Sequence, residues 1–279
     1  MPEKSDCDGT GRKIGGSPTH NLFLSTMYIS PYEGVQMNVK FFGDPKDLFK
    51  YDLITDILKN FHGKIDRLVI VPMLTAYYPR FRGNPGCRNK NLIECFRRFR
   101  TKEDVDNYYA TLKEYFKELK ESIGTKKVRV RIEKDDTFSQ ATRSEYFSGI
   151  LEHFPQACLL FIDPDIGIKE NNYTAKHLSF AELQGFWDRL DNESILMIYQ
   201  HFQRNRVLGR TDPNSKAADV TRLIGTSPLI IADTTVMFIF LTKNPELRSE
   251  LKEILKNYQK RIHNSIKDPK KRRALTITG

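Results

Sequence analysis

The sequence predicts an α/β fold: a Rossmann-like, mostly parallel sheet with helices on both faces. Short, nearly continuous apolar runs recur along the chain, as the buried strands of a parallel sheet require. Amphipathic segments of helical period lie between them. The two kinds alternate without an internal repeat, which is the order of an α/β domain. With 279 residues, 39% hydrophobic and 11% aromatic, the chain has enough apolar surface to bury a core, and global disorder is excluded.

Taken in order, residues 1–20 are rich in Gly, Ser, Lys and Asp and read as a flexible leader. Phe42-Gly43-Asp44-Pro45 is a helix start, with Asp44 as N-cap and Pro45 at the first helical position. The helix expected over Pro45–Asn60 keeps Leu48, Phe49, Leu53, Ile57 and Leu58 near one face. Asp66–Met73 reads as a buried strand, and Lys127–Ile132 alternates with period two. Between them a charged helix is expected over Lys102–Ile123, with Tyr109, Leu112, Tyr115, Phe116 and Leu119 as its apolar side. Helices over Arg143–Phe154, Ser179–Leu190 and Pro245–Ile266 follow the same period. Ala157–Ile162, Ser194–Tyr199, Pro228–Ala232 and Thr235–Leu241 supply further strands. The expected organisation is one α/β domain over 21–266, a basic insert near 79–102 and a basic tail at 267–279.

Charge is distributed unevenly. The 45 Lys and Arg outnumber the 35 Asp and Glu, a net charge of +10. From Arg80 to Lys102 there are eight basic residues, among them Arg80, Arg82, Arg97, Arg98 and Arg100, against Glu94 alone. The C-terminal end carries Lys270, Lys271, Arg272 and Arg273 in succession. Such clusters favour phosphate polyanions, and Tyr77, Tyr78, Phe81, Phe96 and Phe99 are rings that can stack on unpaired bases. RNA or DNA is therefore the expected partner, although a solvated loop and tail would show the same composition. Cys7, Cys87, Cys95 and Cys158 are scattered, with no C-x-x-C pair, which argues against a disulfide framework and a structural zinc site. No apolar run approaches the ~18 residues of a membrane span, and the first residues lack a signal-peptide apolar region, so a cytoplasmic location is expected.

In open α/β sheets, ligands bind at the carboxyl ends of the strands. Phe161-Ile162-Asp163-Pro164-Asp165-Ile166-Gly167 runs an apolar strand straight into two carboxylates. A D-x-D pair suits a divalent cation or hydrogen bonding to an amine. The next strand ends in Tyr199-Gln200-His201, with Arg204 and Arg206 beyond, and the preceding one exits at Glu133-Lys134-Asp135-Asp136. Asp163 alone could simply cap a turn. Polar residues at three strand ends favour a ligand site.

Gly43, Asp44, Asp47, Lys50 and Tyr51, then Asp163-Pro164-Asp165 with Gly167, then Tyr199 and His201 fall in a recognisable order. The chain resembles a group of prokaryotic and phage proteins with G-D-x-x-D-x-x-K-Y, D-P-D-x-G and Y-x-H motifs. More distantly it is similar to class I S-adenosylmethionine-dependent methyltransferases, in particular those that methylate adenine N6 in ribosomal RNA. That resemblance implies an amino-methyltransferase acting on nucleic acid, with S-adenosylmethionine as cofactor. It makes Asp163 and the Pro164 carbonyl acceptors for the target amine, and puts Asp44, Lys50, Tyr51 and Asp135 on the cofactor side. The chain departs from the methyltransferase motif at Asp165, where a second proline is usual, and at Ile166, where an aromatic is usual. Leu74-Thr75-Ala76 stands where a glycine-rich turn is expected after the first strand.

Two other functions fit the same residues. Asp163 and Asp165 could hold Mg²⁺ or Mn²⁺ in a nuclease or phosphohydrolase, with His201 as acid/base. Alternatively, a degenerate methyltransferase fold could serve as a non-catalytic nucleic-acid-binding module. The absent glycine turn favours these two; the ordered motifs favour the methyltransferase.

Overall fold

Each central strand faces two cores at once, because successive side chains of a strand point to opposite sides. In the computed structural model the described residues are 45–61, 63–73, 91–94, 109–117, 128–133, 139–202, 204–205, 209–210, 212–265 and 275–279. The strands are β1 (Arg67–Pro72), β2 (Arg129–Ile132), β3 (Cys158–Asp163), β4 (Gly167–Lys169), β5 (His177–Ser179), β6 (Ile195–His201), β7 (Arg204–Asn205), β8 (Gly209–Arg210), β9 (Leu229–Ala232), β10 (Val236–Leu241) and β11 (Thr276–Thr278). Within β3, Leu159 and Phe161 enter one core while Leu160 and Ile162 enter the other.

The main sheet has seven strands in the order β11-β9-β10-β6-β3-β1-β2. β2, β1, β3 and β6 are parallel neighbours, β10 is antiparallel to both β6 and β9, and β11 is antiparallel to β9. Five strands therefore share one direction, and only β10 and β11 oppose it.

Helices α1 (Pro45–Asn60) and α5 (Pro245–Ser265), with helical residues 109–117, cover one face. Helices α2 (Arg143–Glu152), α3 (Phe180–Arg189) and α4 (Pro213–Ile224) cover the other. The α1–α5 contact combines apolar and polar parts. Phe49 stacks near Tyr258 and meets Phe238 edge-on, while the buried Tyr258 hydroxyl donates to Asp52 Oδ2 at 3.0 Å. Arg261 pairs with Asp56 at 2.9 Å. Burial of each such large apolar side chain contributes about 1.5–3 kcal/mol.

Every strand and helix expected from the sequence has a counterpart among the described residues; of the Lys102–Ile123 helix those residues are 109–117. The sequence pattern missed α4 and the short strands β4, β5, β7, β8 and β11. Thr276–Thr278, expected as tail, instead extend the sheet along β9. The leader at 1–20, the insert at 79–102 apart from residues 91–94, and tail residues 267–274 lie outside the described residues. Among the described residues no helix is long and apolar enough to cross a membrane.

This topology fixes where a ligand would sit. From β1 the chain moves outward to β2, then returns across β1 to β3 on its other side. The strand order reverses between β1 and β3, and ligands of open α/β sheets bind in the crevice at that point.

Candidate functional site

The carboxyl ends of β1 and β3 meet at Pro72 and Asp163, which are register partners. The Met73 N–H donates to the Asp163 carbonyl at 3.1 Å, fixing the backbone on both sides of the crevice. Pro164, next in the chain, is buried and ends the strand.

Above this junction lies the N-terminal part of α1. Asp47 and Lys50, three residues apart, share one helix face and turn it inward. The Lys50 ammonium donates to Asp163 Oδ2 at 2.6 Å and to Asp47 Oδ1 at 2.8 Å. Lys50 and Asp163 are only 4% and 2% exposed, so both charges are nearly dehydrated. The ammonium also lies 4.7 Å from the Tyr199 ring centre and 5.9 Å from that of Phe161, within cation–π range. Burial opposes the charge on Lys50, but Asp163 and Asp47 outweigh it and hold the ammonium above its ordinary range. For Asp163 burial is the largest influence and pushes the carboxyl up to about 6, against the pull of Lys50.

Lys50 occupies one carboxylate oxygen. Among the described residues, nothing donates a hydrogen bond to the other, Oδ1. A carboxylate has room for about four hydrogen bonds. Asp163 thus retains acceptor capacity at the reversal point of the sheet.

The loop that follows is pinned to β6. Gly167 adopts φ +129, and a Cβ there would come within 2.3 Å of the Gln200 side chain. Gln200 Oε1 accepts from the Ile168 N–H at 2.7 Å, and its Nε2 donates to the carbonyls of His201 at 2.8 Å and Ile166 at 3.3 Å. The glycine of D-P-D-x-G is therefore required by the approach of one side-chain amide. On its outer side the loop is held just ahead of β5: the Ile166 N–H donates to the Lys176 carbonyl at 2.9 Å. Arg143, buried on α2, forks onto Glu182 and donates to the carbonyls of Thr174 and His177. Glu182 also completes a capping box with Ser179 at the start of α3. Burial, then Lys169 and Arg143, push the His177 imidazole down to about 4.

His201 stands at the end of the neighbouring strand. Its Nε2 lies 2.8 Å from the Tyr199 hydroxyl and 3.4 Å from Lys46 Nζ on the first turn of α1. An ammonium can only donate, so Nε2 is the unprotonated nitrogen. Burial, with Lys46 and Lys50 nearby, pushes the imidazole down to about 3. His201 is neutral at pH 7 and holds no proton on Nε2 to give away.

Among the described residues, Asp163 and Asp165 both face ammonium groups, a setting that does not favour Mg²⁺ or Mn²⁺. Hard cations need clustered oxygen ligands, yet Asp163 faces a buried ammonium and Asp165 lies 3.4 Å from Lys176 Nζ. Among the described residues, no three His, Cys, Asp or Glu side chains gather into a metal-binding group.

Asp163, Pro164, Lys50 and His201 are thus brought to one edge of the sheet, with Asp165 on the loop rim. Tyr51 is fully buried, packs edge-on against Phe116 at 6.2 Å, and has its ring centre 5.7 Å from the Lys50 ammonium. Asp44, Asp135, Arg80, Arg82, Arg97, Arg98, Arg100 and Lys270 to Arg273 lie outside the described residues. Sequence reasoning overlooked Lys46, Met73 and the amide of Gln200. Of these only Gln200 left a signal, as the middle residue of Y-x-H.

No protein-family model and no curated protein sequence matches the chain.

Proposed function

We propose that this protein is an S-adenosylmethionine-dependent methyltransferase that acts on an amino group of a nucleic-acid base. The observation that carries the reading is Asp163: a carboxylate buried at the reversal point of the sheet, with Oδ1 left to accept from a ligand. A planar amine needs acceptors for its two N–H groups so that its lone pair is aimed at the methyl donor. Asp163 Oδ1 is the first acceptor and the Pro164 carbonyl the second.

The bound cofactor would supply an electrophilic sulfonium methyl group. The chain's own residues orient the amine and, by burying the site, exclude competing water. The sheet adds support through its order, which reverses between β1 and β3 where Asp163 stands. The net charge of +10 favours a polyanionic substrate.

The test is a calorimetric titration with S-adenosylmethionine, followed by transfer of labelled methyl groups to single-stranded oligonucleotides. Wild type is expected to bind saturably. Asp163→Asn should keep that binding while transfer falls by about 10²-fold or more, the loss seen when one transition-state hydrogen-bond partner is removed. Absence of cofactor binding in the wild type would overturn the enzyme reading and leave a nucleic-acid-binding module.

A further inference from the structure

We propose that the tip of the β4–β5 loop, residues 171–173, is a stacking platform for an unpaired base of the substrate strand, the neighbour of the base at Asp163. This rests on the nucleic-acid reading above and adds to it a subsite centred on Tyr173. The first ground is the ring. Among the described residues Tyr173 is the large apolar side chain that stands exposed, at 42%. One face of its ring lies over Arg143, with the guanidinium carbon 5.0 Å from the ring centre. Arg143 does not depend on that ring, because its N–H groups already go to both carboxylate oxygens of Glu182 and to the carbonyls of Thr174 and His177. The guanidinium is a fixed floor, and the opposite face of the ring is open. A base has a π-face of the same kind, and stacking one on Tyr173 covers both.

The second ground is bracing on both sides of the tip. Arg143 holds the Thr174 carbonyl at 2.9 Å, and Arg222 of α4 forks onto Glu170 at 2.8 and 3.3 Å. Lys169 Nζ donates to the Asn172 carbonyl at 2.8 Å, closing a turn in which Asn172 adopts φ 52, a left-handed conformation that Asn tolerates. A platform ordered in advance loses little conformational freedom when a base arrives. The carboxamides of Asn171 and Asn172 are exposed and have no hydrogen-bond partner among the described residues. They put donors and acceptors beside the ring, as the edge of an unpaired base requires.

The third ground is position. Arg143 and Tyr146 are neighbours on one face of α2, a single turn apart. The Tyr146 hydroxyl donates to the Pro72 carbonyl at 3.0 Å, and Pro72 is the register partner of Asp163. Tyr173, seated on Arg143, therefore stands at the rim of the crevice and not inside it. A base drawn out of its stack into the crevice leaves its neighbour without a stacking partner at that rim, and the platform supplies one.

The test measures binding of fluorescein-labelled single-stranded oligoadenylate, as RNA and as DNA, by anisotropy across a salt series. Loss of one stacked base weakens binding by about 5- to 150-fold. Tyr173→Ala should therefore bind oligoadenylate about 5-fold or more weakly, with the slope of log affinity against log salt unchanged, because no phosphate contact is lost. Tyr173→Phe keeps the ring and should bind as wild type does. Wild-type affinity in Tyr173→Ala, or an equal loss in Tyr173→Phe, would overturn the platform. Photocrosslinking of the wild type to oligouridylate carrying 5-iodouracil needs no variant: peptide mapping should find the adduct on Tyr173, and adducts confined to other residues would overturn the platform. Weakened binding in Tyr173→Ala with no S-adenosylmethionine binding in the wild type would sink the methyltransferase reading alone. Cofactor binding with wild-type oligoadenylate affinity in Tyr173→Ala would sink the platform alone. No oligoadenylate binding by the wild type at low salt would remove the nucleic-acid partner from both.

Discussion

At the residue scale, the Lys50–Asp163 pair is the most exposed to disruption, because each charge is buried and depends on the other. Lys50→Met leaves a carboxylate in a dehydrated pocket, and loss of one partner from a buried pair costs about 3–5 kcal/mol. The expected result in urea unfolding is a loss of that size, with part of it recovered in Lys50→Met/Asp163→Asn. A strictly additive double variant would show that the two charges do not couple. Gly167→Ala should also be costly, for two separable reasons. The new Cβ meets the Gln200 side chain at 2.3 Å, and φ +129 strains any residue but glycine. Because Gln200→Ala removes the clash together with the hydrogen bonds that pin the loop, the two form a cycle: Gly167→Ala should lower the urea midpoint less in the Gln200→Ala background than in wild type, and an equal loss would leave the strain at φ +129 as the whole effect. Asp163 was legible in the sequence because an apolar strand ran straight into it. Its partner was not, since Lys50 lies 113 residues away and helix periodicity does not say which helix covers which strand end.

At the element scale, the long strands were legible because burial on both faces leaves polar side chains only at their carboxyl ends, as at Asp163 and Gln200. β3 and β10 are buried at every residue. β7 and β8 have two residues each, too few to show any period. Helix α4 escaped for another reason: Pro213–Ile224 has no run of large apolar residues before Leu223, and its buried residues are Lys216 and Val220. Its ends, however, are well marked, with Asp212 as N-cap, Pro213 behind it and Gly225 closing the helix at φ 74. Asp212→Ala is therefore expected to cost about 1 kcal/mol, read as a lowered urea midpoint with unchanged slope.

At the scale of the whole molecule, buried titratable groups at the two sides of the site set a pH dependence. The imidazoles of His201 and His177 are held down to about 3 and about 4, against about 6.5 in the unfolded chain. Between those values the unfolded state binds protons that the native state refuses, so their contribution is complete above about pH 6.5 and is lost as the pH falls. Asp163, raised to about 6, has the opposite sign: its contribution is present at low pH and is lost as the pH rises through about 6. His201→Gln should accordingly lose less stability than wild type when both are taken from pH 7 to pH 4. An equal loss, measured by urea unfolding at each pH, would mean that His201 is not buried neutral. The cooperative unit behind such measurements joins distant parts of the chain. Asp52 and Tyr258 are 206 residues apart, and Lys46 and His201 are 155 apart. α1 precedes every partner it needs: β3 and β6 on one side, α5 on the other. During synthesis this helix leaves the ribosome with its apolar face uncovered and waits about ten seconds or more, at the usual ~5–20 residues per second, for the segments that will bury it. The first of the described helices to be made is among the last to dock, and the site it completes forms only when nearly all of the described chain is in place.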